Sequence, residues 1–452
     1  MRGSCRGSSR DPPLRASRAD GERERVDSSA RQENRCAAAV ARPVPGLAAA
    51  EGLADAARRA VASALADWAG PPPDLLVALV ATGPGFDGRP AATAALLAAA
   101  EAAGTGHSVG CSVEGVLAAT GGGAGAAVLG APGVAVWCAR LPGARLRSFH
   151  LEVVPTPQGL AVTGLPEFAP DAVPAAATAL LLADPTTFPT TTWLRSLATA
   201  LPDLSVVGAV AAPEPEALRL ADPGEPSRAG ADGGALLLSD GRVFERGAVG
   251  TTIEGLAGLR GAVAPGCRPV GPVLTVTAAE GSALLELAGQ PAAAVLRRIV
   301  AELPPEDAAR AGAGLHLGLA RDEYATEPTA ADWLVRPLLG TEARREALVV
   351  GDVLEVGSTV QFQLADRDVA DAGLAAALGG GGGAAGALLL AAAGRGRAGT
   401  PGTDRDAELA VRVFGPRAAV GGGYTGGQIG PGPAGRGADL FGLAAGLLVV
   451  PR

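Results

Sequence analysis

Four things are missing from this chain of 452 residues, and each absence excludes a class of function. There is no apolar run of about 18 residues or more, so no segment reads as a transmembrane helix, and the N-terminus has no apolar core of the kind a secretory signal needs. No block of basic residues occurs beyond the N-terminus, and the formal net charge is -8, which argues against a nucleic-acid footprint. The five cysteines, at positions 5, 36, 111, 138 and 267, include no C-x-x-C pair. An odd number of cysteines in a long chain without a signal reads as reduced thiols with neither a redox nor a zinc site. The three histidines, at 107, 150 and 316, lack ligand spacing, so no metal site and no cofactor are expected. The expectation is a cytoplasmic protein that acts without nucleic acid or membrane.

What is present is glycine, proline and short apolar runs. The 66 glycines and 36 prolines approach low-complexity composition, yet they alternate with regular apolar stretches, which favours a folded chain of several domains. Residues 1–36 are the exception. They carry nine Arg against six acidic residues and almost nothing to bury, so they read as a disordered tail.

Along the rest of the chain the periodicity predicts a helix over Gly52–Gly70, with Leu53, Ala57, Val61, Leu65 and Trp68 on one face, stopped at Pro71–Pro73. Leu75–Ala81 is a continuous apolar run suited to a strand covered on both faces. A helix at Ala91–Ala103, a strand at Gly133–Ala139 and a half-buried strand at Leu146–Val153 follow, the last with His150 on its polar, solvent-facing side. Thr191–Leu201 is helical, and SDG at 239–241 signals a tight hairpin. Beyond Arg260 come strands at Pro272–Ala278, Leu284–Leu287, Leu315–Ala320, Ala347–Val350 and Thr359–Leu364, a helix opened by Pro291 and another over Asp366–Leu378. Leu388–Ala392 and Leu443–Val450 read as buried strands around the amphipathic Ala407–Phe414. Gly421–Gly437, with 9 glycines in 17 residues, reads as a loop whose backbone takes positive φ repeatedly or lies close to something else.

One order of events occurs three times: apolar strand, helix, a short strand with a Val-Gly step, a glycine loop and a further apolar run. The three begin at DLLVALV (74–80), ATALLLAD (177–184) and GALLLAAA (386–393). Laying Val207-Gly208 on Val109-Gly110 sets Cys111, Ser112 and Glu114 against Ala209, Val210 and Ala212, so the second unit lacks the polar groups of the first. The fold expectation is α/β: mixed sheets with covering helices in two packed sheet-centred units, with weak internal strand-helix-strand repetition.

Chemical motifs are few. Gly106, Ser108 and Gly110 satisfy G-x-S-x-G, but a nucleophile elbow needs a strand before the serine and a helix after it, and here the order is reversed. GPGFDG at 83–88 is not a dinucleotide fingerprint. Cys111 is either a buried small hydrophobe or a thiol facing a ligand site. No catalytic residue is assigned.

The segments GCRPVGP (266–272), ELAGQPAAAVL (286–296), GDVLEVGSTVQFQLADRDVA (351–370), LLLAAAGRGR (388–397) and GGGYTGGQIGP (421–431) resemble the C-terminal half of the FIST family. VGCSVEG (109–115) and DLLVALV resemble its N-terminal half. On this resemblance residues 37–255 form a FIST N-terminal-like domain and 256–452 a FIST C-terminal-like domain. The resemblance implies a sensory module that binds small ligands, amino acids among them, and signals to a separate protein, since no output segment is visible. The chain departs from the family pattern. Ala392-Ala393 stand where Cys-Asn is frequent before GRGR, Gln428 stands for a Glu, Ala365-Asp366 for Arg-Asp, and Phe441-Gly442 for His-Gly. Candidate ligand-binding residues are Cys111, Ser112, Glu114, Asp366, Arg395, Arg397, Tyr424 and Gln428, in a pocket where Gly421–Gly430 meets Gly394–Arg397 and Gly110–Glu114. Two alternatives stand beside ligand sensing: a partner-binding or structural protein with a degenerate pocket, and a cysteine-dependent enzyme.

Overall fold

The computed structural model describes residues 33–83, 88–120, 126–157, 159–167, 177–212, 234–321, 330–379, 383–393, 395, 405–415, 417–432 and 437–452. Most of the expected tail lies outside these residues. Its last four positions do not, and the last two belong to β1 (Arg35–Ala41), which pairs with β6 (Gly133–Arg140).

The described residues are mixed α/β and contain four sheets. Three of the sheets share one plan, built on a parallel pair joined through a helix. The pairs are β2 (Leu75–Ala81) and β3 (His107–Ser112) across α2 (Gly88–Ala103), β9 (Thr178–Ala183) and β10 (Ser205–Val210) across α3 (Thr190–Ala200), and β22 (Ala384–Ala392) and β23 (Ala419–Thr425) across α7 (Arg405–Phe414). In each, an antiparallel strand flanks the first member of the pair: β6, β13 (Ala248–Glu254) and β26 (Ala445–Pro451) respectively. The first members are buried along their whole length because helices cover one face and the neighbouring sheets the other, as their unbroken apolar sequences require.

The second member of each pair is extended by a hairpin that belongs to a different unit. Hairpin β4 (Gly115–Thr120) and β5 (Ala126–Leu129), which follows β3, adds to β23. Hairpin β11 (Leu237–Ser239) and β12 (Arg242–Phe244), which follows β10, adds to β3. Hairpin β24 (Gly427–Pro431) and β25 (Ala438–Phe441), which follows β23, adds to β10. The exchange is cyclic and ties the units together. Its joint is a ring of three backbone hydrogen bonds where the second members end: Ala212 N–H to Ser112 O (3.0 Å), Glu114 N–H to Tyr424 O (2.8 Å) and Gly426 N–H to Val210 O (3.0 Å).

This ring sets the equivalences between units, and they rest on glycine. Gly110, Gly208 and Gly422 occupy the same position, where an added Cβ would stand 2.1, 1.8 and 1.7 Å from the carbonyl oxygens of Ala78, Leu181 and Leu389 on the neighbouring strand. Only a residue without Cβ allows that approach. The match of Val109-Gly110 to Val207-Gly208 therefore holds in space. In the third unit the equivalent glycine is Gly422, and Gly421, which follows Val420, is one position early. Of the stretch read as a loop, residues 421–425 and 427–431 are instead in the strands β23 and β24, where Gly421, Gly422, Gly423 and Gly430 serve close packing.

The fourth sheet is an insertion between β14 (Arg260–Ala264) and α6 (Arg367–Leu378). It comprises β15 (Cys267–Glu280), β16 (Ala283–Leu287), β17 (Gln290–Pro291), β18 (Leu315–Ala320), β19 (Trp333–Glu342), β20 (Ala347–Val350) and β21 (Thr359–Ala365), with helices α4 (Ala292–Glu302) and α5 (Pro305–Ala313). Every pairing is antiparallel, and β15 pairs with both β21 and β16, so the ring of pairings closes around a core that includes Leu317, Leu348, Val360 and Phe362.

Two local expectations change. Helix α1 (Ala49–Ala64) ends six residues before Gly70, and Trp68 lies beyond it beneath the Arg35 guanidinium, 5.1 Å from the ring centre. His150 on β7 (Arg145–Thr156) is covered, because its ring stacks on Phe244 at 3.8 Å and its Nε2 meets the Arg246 carbonyl at 2.9 Å. The apolar ring face offset the polar parity that had suggested exposure.

Candidate functional site

The residues singled out from the sequence fall into two groups. Cys111, Ser112, Glu114, Tyr424 and Gln428 gather around the joint, since β4 pairs with β23 and Tyr424 lies opposite Gly115. Ala392 lies opposite Thr425. Of the expected segment Gly394–Arg397 only Arg395 is described, and its side chain bonds to Asp406 and Ala370 instead. Cys111, Tyr424 and Gln428 are buried, and Ser112 and Glu114 are half-buried. Cys111 is fully buried, and burial raises its thiol well above the ordinary range, which withholds the thiolate a nucleophile needs. Ser112 Oγ donates to Ala212 O (2.8 Å) and accepts from Leu236 N–H (3.0 Å). Tyr424 is 1% exposed. Gln428, with no exposure, donates to Thr425 Oγ1 (3.1 Å) and accepts from Ala444 N–H (3.2 Å).

Asp366 and Arg395 belong to the corner around α6 and α7. Asp366 caps α6, accepting from the N–H groups of Asp368 and Val369, and pairs with Arg268 at 2.8 Å. Burial alone would raise its carboxyl, but the Val369 N–H, Arg268 and the Asp368 N–H outweigh it and hold the group below the usual range. The Arg395 side chain is 4% exposed. It forks onto Asp406 in the first turn of α7 (3.1 and 3.3 Å) and donates to the carbonyls of Ala264, Pro265 and Ala370. Arg397 lies outside the described residues.

A cavity of about 300 Å³ opens beside the joint, at the C-terminal ends of β9 and β10. Its floor is the first turn of α3, with Thr190 and Thr191. One wall is Gly426, Gly427, Leu440, Phe441 and Gly442, and the other is Val335, Arg336, Pro337 and Gly351 from the inserted barrel. The link from Gly426 N–H to Val210 O runs between two of its lining residues. The volume sits at the lower end of the ~300–1,000 Å³ that ligand sites use, and loops at strand ends are where α/β sheets hold ligands.

The chemistry of this cavity is asymmetric. Helix α3 has Pro189 at its N-cap, no side-chain cap and no acidic residue in its first turn. Thr190 N–H is taken by Phe188 O, and the N–H groups of Thr191 and Thr192 have no acceptor among the described residues. Arg336 is 4% exposed. Its Nε is paired with Asp352 (2.6 Å), and its Nη1 donates to Val335 O (3.1 Å) and Leu440 O (2.8 Å). Its Nη2 makes no hydrogen bond among the described residues. Among the described residues no group of His, Cys, Asp and Glu is placed to hold a metal.

A FIST N domain matches residues 75–290 and a FIST C domain residues 292–431. The chain belongs to the FIST family. FIST domains are generally regarded as small-ligand-binding sensory domains. An uncharacterized protein of Mycobacterium tuberculosis is 33% identical over 393 residues, 85% of this chain and 94% of its own length. An uncharacterized protein of Mycobacterium bovis is 33% identical over 321 residues, 70% of this chain and 76% of its own length. The cavity draws lining residues from both FIST domains and from Leu440–Gly442 just beyond the second.

Sequence reasoning missed Thr191, Arg336 and the α3 end of the cavity. The polar residues of the first unit drew attention away from the second, whose cavity takes its polar groups from a helix terminus and an inserted barrel. The available signal was the run PTTFPTTTW (185–193), a helix start with hydroxyls and no carboxylate. Among the departures from the family pattern, Phe441-Gly442 is the one that lines the cavity, whereas Ala392 and Ala393 are packed in cores elsewhere.

Proposed function

We propose that this protein is a stand-alone sensory module that binds a small metabolite, an amino acid or small carboxylate, in the cavity at the N-terminus of α3, and passes the signal to a separate protein. The observation that carries this reading is that the two FIST domains line one cavity at the hydrogen-bonded joint between repeat units. A ligand there touches both sides of the Gly426–Val210 link and the inserted barrel at once. Binding energy that depends on how these parts sit is the means by which occupancy changes shape. Of the residues chosen from the sequence, Tyr424 and Gln428 act by holding the Gly426–Gly427 wall in place, and Ser112 and Glu114 by closing the ring. We place the protein in the cytoplasm, a reading supported by Cys36, Cys111, Cys138 and Cys267 all being free. Among the described residues no helix is long and apolar enough to cross a membrane.

Native mass spectrometry of freshly purified protein, followed by thermal-shift screening of amino acids and small carboxylates, tests this. A co-purifying small molecule or a saturable rise in Tm is expected. A second reading, a partner-binding protein with a degenerate pocket, is favoured by Phe441 in the cavity wall where the family often carries His. An empty mass spectrum with no Tm shift from any compound would select that reading.

A further inference from the structure

We infer that the inserted barrel is a hinged cover over the cavity, closed along a seam on β25 and opened by rotation about the place where the chain enters and leaves the insertion. This goes beyond the ligand-binding reading, because it concerns the motion of the cover and holds whatever the cavity takes. The barrel has a core of its own. Its buried cluster, from Val270 to Leu364, draws on no residue outside the insertion, and the large clusters of the rest of the molecule draw on none inside it. Among the described residues the two bodies share one small apolar cluster, in which Cys267, Trp333 and Val335 meet Leu443. Bodies with separate cores move relative to each other unless the interface between them is large and apolar.

Both crossings into the barrel lie at one place. Pro265 and Gly266 join β14 to β15, Asp366 joins β21 to α6, and the Asp366 N–H donates to Gly266 O at 3.0 Å. Cys267 and Ala365, the next residues inward, are paired across β15 and β21. Two crossings side by side define a single axis of rotation, whereas crossings at opposite ends would clamp the body. Gly266 lies against Leu443, where an added Cβ would stand 2.3 Å from the carbonyl oxygen, so the axis passes beside Leu443. From there three polar contacts run back along the chain into β25, the edge strand of its sheet. Gly442 N–H donates to Val335 O (3.1 Å), Arg336 Nη1 to Leu440 O (2.8 Å) and Arg321 Nη2 to Asp439 (2.8 Å). The same seam walls the cavity, with Leu440, Phe441 and Gly442 on one side and Val335, Arg336 and Pro337 on the other. Rotation of the barrel away from β25 parts these walls and uncovers Val210, which is 7% exposed in the closed position.

Thiol labelling tests this without any ligand, so its failure leaves the sensory reading untouched. Val210→Cys places a reporter in the cavity, and fluorescein maleimide, too large for a space of about 300 Å³, reaches it only when the cover lifts. Asp439→Ala removes the seam contact farthest along the chain from the hinge. It is expected to raise the labelling rate of Val210→Cys about tenfold, the effect on an opening equilibrium of losing one charged hydrogen bond. Cys111 and Cys138, buried in cores away from the seam, should keep their wild-type rates, read site by site by peptide mass spectrometry. Thr191→Cys repeats the measurement from the α3 wall. Unchanged labelling at both cavity positions overturns the inference. A rise shared equally by Cys111 and Cys138 also overturns it, since that pattern reports general unfolding and not rotation of a cover.

Discussion

The N-termini of α3 and α7 stand at corresponding places in two copies of one unit, and they have been finished in different ways. At α7 the chain supplies its own acid: Asp406 sits in the first turn, Arg395 holds it, and three backbone carbonyls take the rest of the guanidinium. Arg405 of the same turn pairs with Asp371 on α6, which locks the two helices together. At α3 the first turn is threonine, no carboxylate arrives, and a cavity remains with an arginine from the inserted barrel on its wall. A helix terminus leaves N–H groups that need an acceptor. Where the chain provides one the corner is structural, and where it does not the corner is open to a ligand.

The strongest way to break the comparison is to break the repeat that makes it meaningful. Gly422→Ala places a Cβ 1.7 Å from Leu389 O and should cost about 3 kcal/mol or more, measured by urea unfolding. Gly426→Ala, whose nearest neighbour would be 3.7 Å away, should cost less than about 1 kcal/mol. Similar losses for both would mean that the close approach is not what the glycine serves.

Arg395→Ala tests whether the α7 corner is structural. It leaves Asp406, with a side chain 13% exposed, without its partner, so a loss of about 3 kcal/mol in stability is expected. Affinity at the α3 cavity should be unchanged. A variant of full stability with lost ligand affinity would reverse the assignment of the two corners.

Gln428→Ala probes the wall that the two regions share. Removing its amide leaves Ala444 N–H without its acceptor in a buried position, and about 1–3 kcal/mol should be lost. Ligand affinity should fall with it, because Gly426 and Gly427 are held by the same turn. Differential scanning calorimetry with and without ligand separates the two effects.

The smallest expected effect is a pH dependence confined to the closed corner. Asp366 has its carboxyl held low in the folded state, so its stabilising contribution is present above the unfolded carboxyl range near pH 4 and is lost as pH falls through the depressed folded value. Asp366→Asn, which keeps an N-cap but loses the charged pairing with Arg268, should lower neutral-pH stability modestly and flatten the acid limb of an unfolding curve below about pH 4. An unaltered acid limb would show that the Arg268 and Asp366 pair does not contribute to it.

Much of the architecture was legible in the residues. The strands at Leu75–Ala81, Leu315–Ala320 and Ala347–Val350 stand at the bounds their apolar runs gave, and Ser239-Asp240-Gly241 forms the tight hairpin it signals, with Asp240 and Gly241 both at positive φ. The threefold order of strand, helix and strand was visible as well, because each parallel pair must bury an unbroken apolar run and needs a helix to cross over. The glycines of Gly421–Gly430 were visible as a density but not as a role. Glycine at a close backbone contact and glycine in a turn look alike until the neighbouring strand is known.

The sequence by itself determined the class of fold, the family and the repeat, since these follow from local periodicity and residue type, whereas it left Cys111 open between a buried hydrophobe and a thiol facing a ligand, and the fold buries it. Only the tertiary structure decided where the open site lies. The exchange of hairpins joins residues from distant parts of the chain, and Arg336 lines the same cavity as the first turn of α3 because the barrel inserted before β22 packs against β25. Whether Arg395 or Arg336 keeps a nitrogen free depends on which acceptors surround each guanidinium, and for these two arginines nearly all of those acceptors lie far away in sequence.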